Sequence, residues 1–220
     1  MRHILLLASL ICIADISEAG GNVQVSINVE GDLVVTGDGE ANSIELWGYK
    51  GPPQEVRAHA GTTINGGPGP FVLPPLRGRI VVDLGQGDDA LDSTLSFPAA
   101  SVVSMGDGAD RLTLGDISGR DLRVDLGAGD DTMDVQDSGF GRLIIDAGSG
   151  NDAVEFFFAG ADTLAVRMGE GNDFLSLDHG YFDGKVVLQG GLGTDALELI
   201  ENDFRVGAPK VVGFEAKAPR

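Results

Sequence analysis

From residue 80 onward, apolar side chains recur at every second position in short runs separated by glycines. Ile80, Val82 and Leu84 form one run, followed by Leu122, Val124 and Leu126, then Leu143, Ile145 and Ala147, then Leu164, Val166 and Met168. Each run ends on a glycine pair, beyond which alternation resumes at Leu112 and Leu114, Met133 and Val135, Val154 and Phe156, Leu175 and Leu177, Leu197 and Leu199. A period of two puts these side chains on one face of a strand. No stretch sustains a helical period. The pattern predicts a unit of strand, glycine turn, short strand and looser return loop. Return loops such as 94–100 and 115–121 vary in sequence, and each carries a large residue (Phe97, Ile117, Phe140, Tyr181) expected to plug the far corner.

The glycines set the register. A Gly-x-Gly-x-Asp core occurs six times, at Gly85-x-Gly87-x-Asp89, Gly106-x-Gly108-x-Asp110, Gly127-x-Gly129-x-Asp131, Gly148-x-Gly150-x-Asp152, Gly169-x-Gly171-x-Asp173 and Gly191-x-Gly193-x-Asp195. Successive copies are 21, 21, 21, 21 and 22 residues apart. One copy would mean little among 34 glycines; six in register define a repeat. A unit this short cannot bury its apolar face alone, and parallel stacking of successive units lines those residues into one interior. The expected fold is all-β, a parallel β-solenoid (β-roll or β-helix-like) of about six 21-residue coils over residues 79–204. Residues 20–78 read as an N-terminal β cap, with a hairpin from 23–29 and 32–36, two further strands at 43–48 and 55–60, and a Gly/Pro-rich loop at 61–78. Residues 205–220 read as a closing strand and tail. The turn at Gly37 (Gly-Asp-Gly-Glu-Ala-Asn) resembles the motif but lacks its Asp and begins 48 residues before Gly85, so it is assigned to the cap.

Residues 1–19 change the setting. A basic start at Arg2, an apolar run over 4–14 and small residues at Ser17 and Ala19 predict a secretory signal peptide, too short to span a bilayer. The single cysteine, Cys12, lies within that run, so the exported chain would hold no disulfide. The net charge of −19 excludes nucleic acid as a natural partner and disfavours anionic membranes. With hydrophobic residues at 42%, that acidity is not the mark of a disordered chain.

The acids have a chemical reading. Paired glycines permit a turn whose carbonyls curl inward, and the fixed Asp supplies a carboxylate. Oxygen donors of this kind suit a hard cation of calcium's size, whereas zinc or copper would call for His and Cys. Stacked carboxylates roughly 5 Å apart repel by about 3 kcal/mol per neighbouring pair at an effective dielectric near 20. A metal-free solenoid would instead use glycine for bends and aspartate for capping turns. The recurrence of Asp in register favours calcium, shared between adjacent turns. Asp83, Asp125 and Asp146 stand as either supplementary ligands or surface acids. His179 has no visible partner, and Phe156–Phe158 reads as core and loop packing.

The six motifs resemble the RTX, or haemolysin-type, calcium-binding repeat, Gly-Gly-x-Gly-x-Asp-x-apolar-x. Residues 190–198 match it at every specified position, while Leu84, Met105, Leu126, Ala147 and Met168 replace the first glycine elsewhere. The resemblance covers residues 83–199 and implies a parallel β-roll with calcium held by turn carbonyls and Asp side chains. Family repeats run every nine residues, so a 21-residue spacing implies calcium on one edge only; it resembles sparse-repeat secreted bacterial proteins. The expected function is a secreted calcium-binding module with a structural or adhesive role, not an enzyme, partnered by calcium and by a cell-surface or polysaccharide component. The alternative is a carbohydrate-active β-helix enzyme of lyase or epimerase type, against which stands the lack of a nucleophile–base constellation.

Overall fold

Every alternating run forms a strand. The computed structural model describes residues 20–48 and 51–215; the expected signal peptide at 1–19 lies outside the described residues. Among the described residues there is no helix, and none long and apolar enough to cross a membrane. Strands from successive repeats pair in parallel at a 21-residue offset, building a β-solenoid. One wall contains Ile80–Asp83, Ser101–Asp107, Ser118–Ala128, Gly139–Ser149, Gly160–Glu170 and Val186–Leu192. The other contains Ala90–Ser93, Arg111–Gly115, Thr132–Gln136, Ala153–Phe157, Phe174–Asp178 and Ala196–Ile200. The Gly-x-Gly turns join the first wall to the second along one edge.

The register holds because a slip by one residue would turn every apolar side chain to solvent. In-register pairs such as Val124 with Ile145 and Leu112 with Met133 put like residues above one another. The files Ile80–Val82–Leu84, Leu122–Val124–Leu126 and Leu164–Val166–Met168 are all buried. The far corner is filled by Phe97, Phe140 and Phe182, alternating with small Gly119 and Ala161 in the same file. A Cβ on Gly119 would press on the Phe140 ring at 2.8 Å. Tyr181, expected as a plug, faces solvent instead, and its neighbour Phe182 takes the interior place. Alternation by two exchanges the roles of adjacent residues, and the corner decides which one turns inward.

The N-terminal region differs from a separate cap. The 23–29 and 32–36 hairpin is present as Asn22–Ile27 against Leu33–Thr36, and Ser43–Trp47 pairs antiparallel with Gln54–Ala58. However, Leu33–Thr36 also pairs in parallel with Ile80–Asp83, and Ser43–Trp47 with Ala90–Ser93. Residues 33–47 are therefore a coil of the stack, and antiparallel strands close the end beyond it. The 61–78 segment contains two short strands, Thr63–Ile64 and Phe71–Leu73. Arg79 clamps this first coil to the next by donating to the buried Asp32 carboxylate at 2.9 Å. At the other end, Asp203–Phe204 and Lys210–Val212 pair with the last coil as two pieces rather than one closing strand.

Candidate metal centre

The turn edge is built by glycine for two reasons. Gly106 and Gly108 sit at φ 116° and 149°, as do their counterparts in every motif at comparable positive values. A Cβ on Gly106 would also overlap the Gly85 carbonyl of the preceding coil, and one on Gly108 the Gly87 carbonyl. The turns therefore stack at backbone contact. The first-glycine carbonyls do not follow the expectation that turn carbonyls curl inward. The first-glycine carbonyl is used between coils, as where Gly85 C=O accepts the Asp107 N–H at 2.8 Å, and the second-glycine carbonyl lies against the next coil's glycine. The 4.8 Å repeat of a parallel stack leaves the main chain little freedom to turn these groups elsewhere.

The six aspartates do converge. Asp89, Asp110, Asp131, Asp152, Asp173 and Asp195 are all buried, at 0–2% exposure, in one file beside the turns. Each Oδ1 accepts the backbone N–H of the file's member one coil earlier. Asp89 N–H donates to Asp110 at 2.8 Å, Asp110 to Asp131 at 2.8 Å, Asp131 to Asp152 at 3.0 Å, Asp152 to Asp173 at 2.9 Å and Asp173 to Asp195 at 3.1 Å. The ladder runs further than the six motifs. Asn42 N–H donates to Asp89 Oδ1 at 2.6 Å, and Asp195 N–H donates to Glu215 Oε2.

Asn42 and Glu215 are the ladder members that sequence reasoning missed. The register of Leu33–Thr36 on Ile80–Asp83 places the Gly37 turn on the stack, a correction to its assignment out of register. The spacing misled because residues 48–79 are inserted between two coils. Glu215 had a signal of its own, lying 20 residues beyond Asp195.

A second, exposed ladder flanks the first with opposite polarity. Ala109 N–H donates back to Asp88 Oδ1 at 2.9 Å, Asn151 to Asp130 at 2.7 Å, and Thr194 to Asn172 at 3.0 Å. This bonding accounts for the Asp or Asn that precedes the buried Asp in most motifs.

What remains unpaired is the other carboxylate oxygen. Oδ2 of all six aspartates is buried without a hydrogen-bond partner among the described residues, as is Asn42 Oδ1. The position before each turn faces this oxygen: a Cβ on Gly190 would lie 2.5 Å from Asp195 Oδ2. In the other coils that position is Leu84, Met105, Leu126, Ala147 or Met168, all buried. By the repeat, the orphan oxygens of Asp89, Asp110, Asp131, Asp152 and Asp173 lie on the side of these apolar residues, whereas that of Asp195 lies beside Gly190. Burial pushes Asp89 up to about 7, Asp110 to about 6, Asp131 to about 8 and Asp152 to about 6, and raises Asp173. The backbone N–H bond opposes the rise in each case, and nearby carboxylates add to it, Asp110 and Asp152 doing so at Asp131. No group of three or more His, Cys, Asp or Glu side chains gathers as a compact metal site among the described residues. The oxygens form a file, one per coil.

The other candidates separate cleanly. Asp92, Asp134, Glu155 and Glu198 share an outward file on the second wall. Asp125 and Asp146 pair on the outer face of the first wall, away from the ladder, where Asp146 meets Arg167 at 3.6 Å. His179 does have partners, Asp178 at 2.5 Å and Glu201 at 3.0 Å, brought together only by the corner. Compared with known proteins, the chain matches no family model, no curated protein and no solved structure.

Proposed function

We propose that this chain is an extracellular, non-catalytic β-solenoid whose folding is coupled to calcium along its aspartate edge. The observation that carries the reading is the file of six buried Oδ2 atoms without a partner. A buried polar group left unpaired costs roughly 1–3 kcal/mol, and an ionised one more. Six such groups rival the entire stability of a domain, about 5–15 kcal/mol. A divalent cation held by carboxylates of adjacent coils removes both the desolvation and the mutual repulsion. Donor type favours calcium, because the ladder offers oxygen alone. The oxygens would come from Asp89, Asp110, Asp131, Asp152, Asp173 and Asp195, and the cation would supply positive charge at the coil-to-coil contacts. A leader-like N-terminus and the absence of cysteine after Cys12 support an extracellular setting, where calcium is plentiful.

A second reading rests on the Oδ1 bonds. Each aspartate already caps a neighbouring backbone N–H, so a ladder neutralised by protons would also hold the coils together. Circular dichroism and thermal melting in EDTA, then in millimolar calcium, at pH 5 and pH 8 separate the two. The calcium reading expects lost β signal in EDTA at pH 8 and recovery with calcium. An identical spectrum and Tm with and without calcium at pH 8 would sink it in favour of the proton-neutralised ladder.

A further inference from the structure

The corner where the second wall returns to the first carries a surface that the aspartate edge does not explain. Asp116, Asp137, Phe158, His179 and Glu201 occupy equivalent places there, all in left-handed backbone with φ between 47° and 55°. The stack imposes this conformation, since Asp137 N–H donates to Phe157 C=O, and Phe158 N–H to Asp178 C=O, on the next coil. Asp tolerates it. Phe gains nothing from its backbone there, at a cost of about 1–2 kcal/mol.

Nor does Phe158 repay that cost by burial. The residue is 42% exposed, beside Phe157 at 45%, with Tyr181 on the next coil at 57%. The interior slot of the corner is already filled by Phe140 and Phe182. Phe158 packs edge-on to Phe157 at 4.4 Å and against the His179 ring at 4.9 Å. His179 is itself pinned between Asp178 and Glu201, so the aromatic group is braced rather than loose.

Beside these rings runs a trough. Two hollows of about 520 and 420 Å³ share Gly119, Gly141 and Asp162, and together they cross several coils. The outward file through Tyr181 holds Gly139 and Gly160 in the two preceding coils and Asp203 in the next. A side chain at Gly160 would strike the Tyr181 carbonyl, but one at Gly139 would meet nothing within 4 Å. Packing therefore does not require glycine at 139; its absence of side chain leaves a bare shelf that stops at an aromatic ring. Arg120, Arg142 and Asp162 stand along the trough as charged donors and an acceptor.

We propose that this trough binds a neutral oligosaccharide chain, with a pyranose face on Tyr181 and Phe158. Flat exposed rings suit the C–H face of a sugar, and adjacent Arg and Asp side chains pair with its hydroxyls. Acids and bases together favour an uncharged polyol, and a net charge of −19 opposes a polyanion. A trough open along the stack over about three strand spacings, ~14 Å, suits a chain rather than a single sugar.

The test is calorimetric titration of the full chain, with calcium present throughout, against cellohexaose, xylohexaose, chitohexaose, maltohexaose and hexagalacturonate. At least one neutral hexasaccharide is expected to bind. Tyr181→Ala, whose side chain is exposed and whose circular dichroism should be unchanged, weakens that binding about tenfold. Asp162→Asn weakens it less, and Asp92→Asn on the second wall leaves it unchanged. No binding by any neutral hexasaccharide, binding by hexagalacturonate alone, or an affinity unmoved by Tyr181→Ala overturns the proposal. None of these outcomes bears on calcium-coupled folding, which is read separately by melting in EDTA.

Discussion

Replacing Asp131 by Asn tests the ladder at its centre. Asp131 is fully buried; its Oδ1 accepts the Asp110 N–H, and its Oδ2 has no partner. Asn preserves the accepting oxygen for the Asp110 N–H and removes the charge. Burial holds the folded carboxyl near 8, against 3.8 for a free one. The folded state therefore binds the proton more tightly than the unfolded state, so metal-free stability is greatest below the unfolded value and falls as pH rises toward 8. At 1.36 kcal/mol per pH unit, keeping this carboxyl in the metal-free fold costs roughly 2 kcal/mol at pH 5 and about 5 kcal/mol at pH 8. Asn removes that cost but buries an amide N–H₂ without an acceptor, at about 1–3 kcal/mol. Asp131→Asn should be near neutral at pH 5 and stabilising by a few kcal/mol at pH 8. The change of about 3 kcal/mol between the two corresponds to ~6–12 °C in Tm for a chain of this size. Thermal melts in EDTA at both pH values, in sucrose sufficient to keep the metal-free parent folded at pH 8, read it directly, and they stay clear of the isoelectric point near 4.2. With calcium, the variant should show a smaller rise in Tm than the parent. A variant-minus-parent difference equal at pH 5 and pH 8 would refute the argument that a desolvated carboxylate controls this edge.

Other perturbations probe the same physics. Asp131→Ala removes an interior cap and should weaken calcium-dependent folding more than Asp195→Ala, because the Asp195 turn is exposed on the last coil; equal losses in calcium titrations would contradict a shared ladder. Gly108→Ala combines a forbidden φ of 149° with overlap on the Gly87 carbonyl and should cost about 3 kcal/mol or more, measured by urea unfolding in calcium. Phe156→Ala, at a buried core position, should cost about 3–5 kcal/mol, whereas Phe157→Ala, exposed beside it, should cost under ~1 kcal/mol.

The sequence alone determined the repeat, the parallel stacking and the face that each strand buries. Period-two alternation and a 21-residue glycine register leave one way to hide Val124, Ile145 and Val166 together. It also singled out all six ladder aspartates, because a charge fixed in register must face its copies in a stack. It did not determine what those carboxylates touch. That Oδ1 caps the N–H one coil earlier, that the first-glycine carbonyl is used between coils, and that Oδ2 is buried without a partner are consequences of coil spacing, which no single repeat encodes. Asn42 and Glu215 joined the ladder only once pairing carried the register across residues 48–79 and back from the final strand. The corner was decided last. Whether Tyr181 or Phe182 turns inward, and whether His179 meets Asp178 and Glu201, depends on a left-handed backbone repeated by the stack, and side-chain chemistry alone carries no record of it.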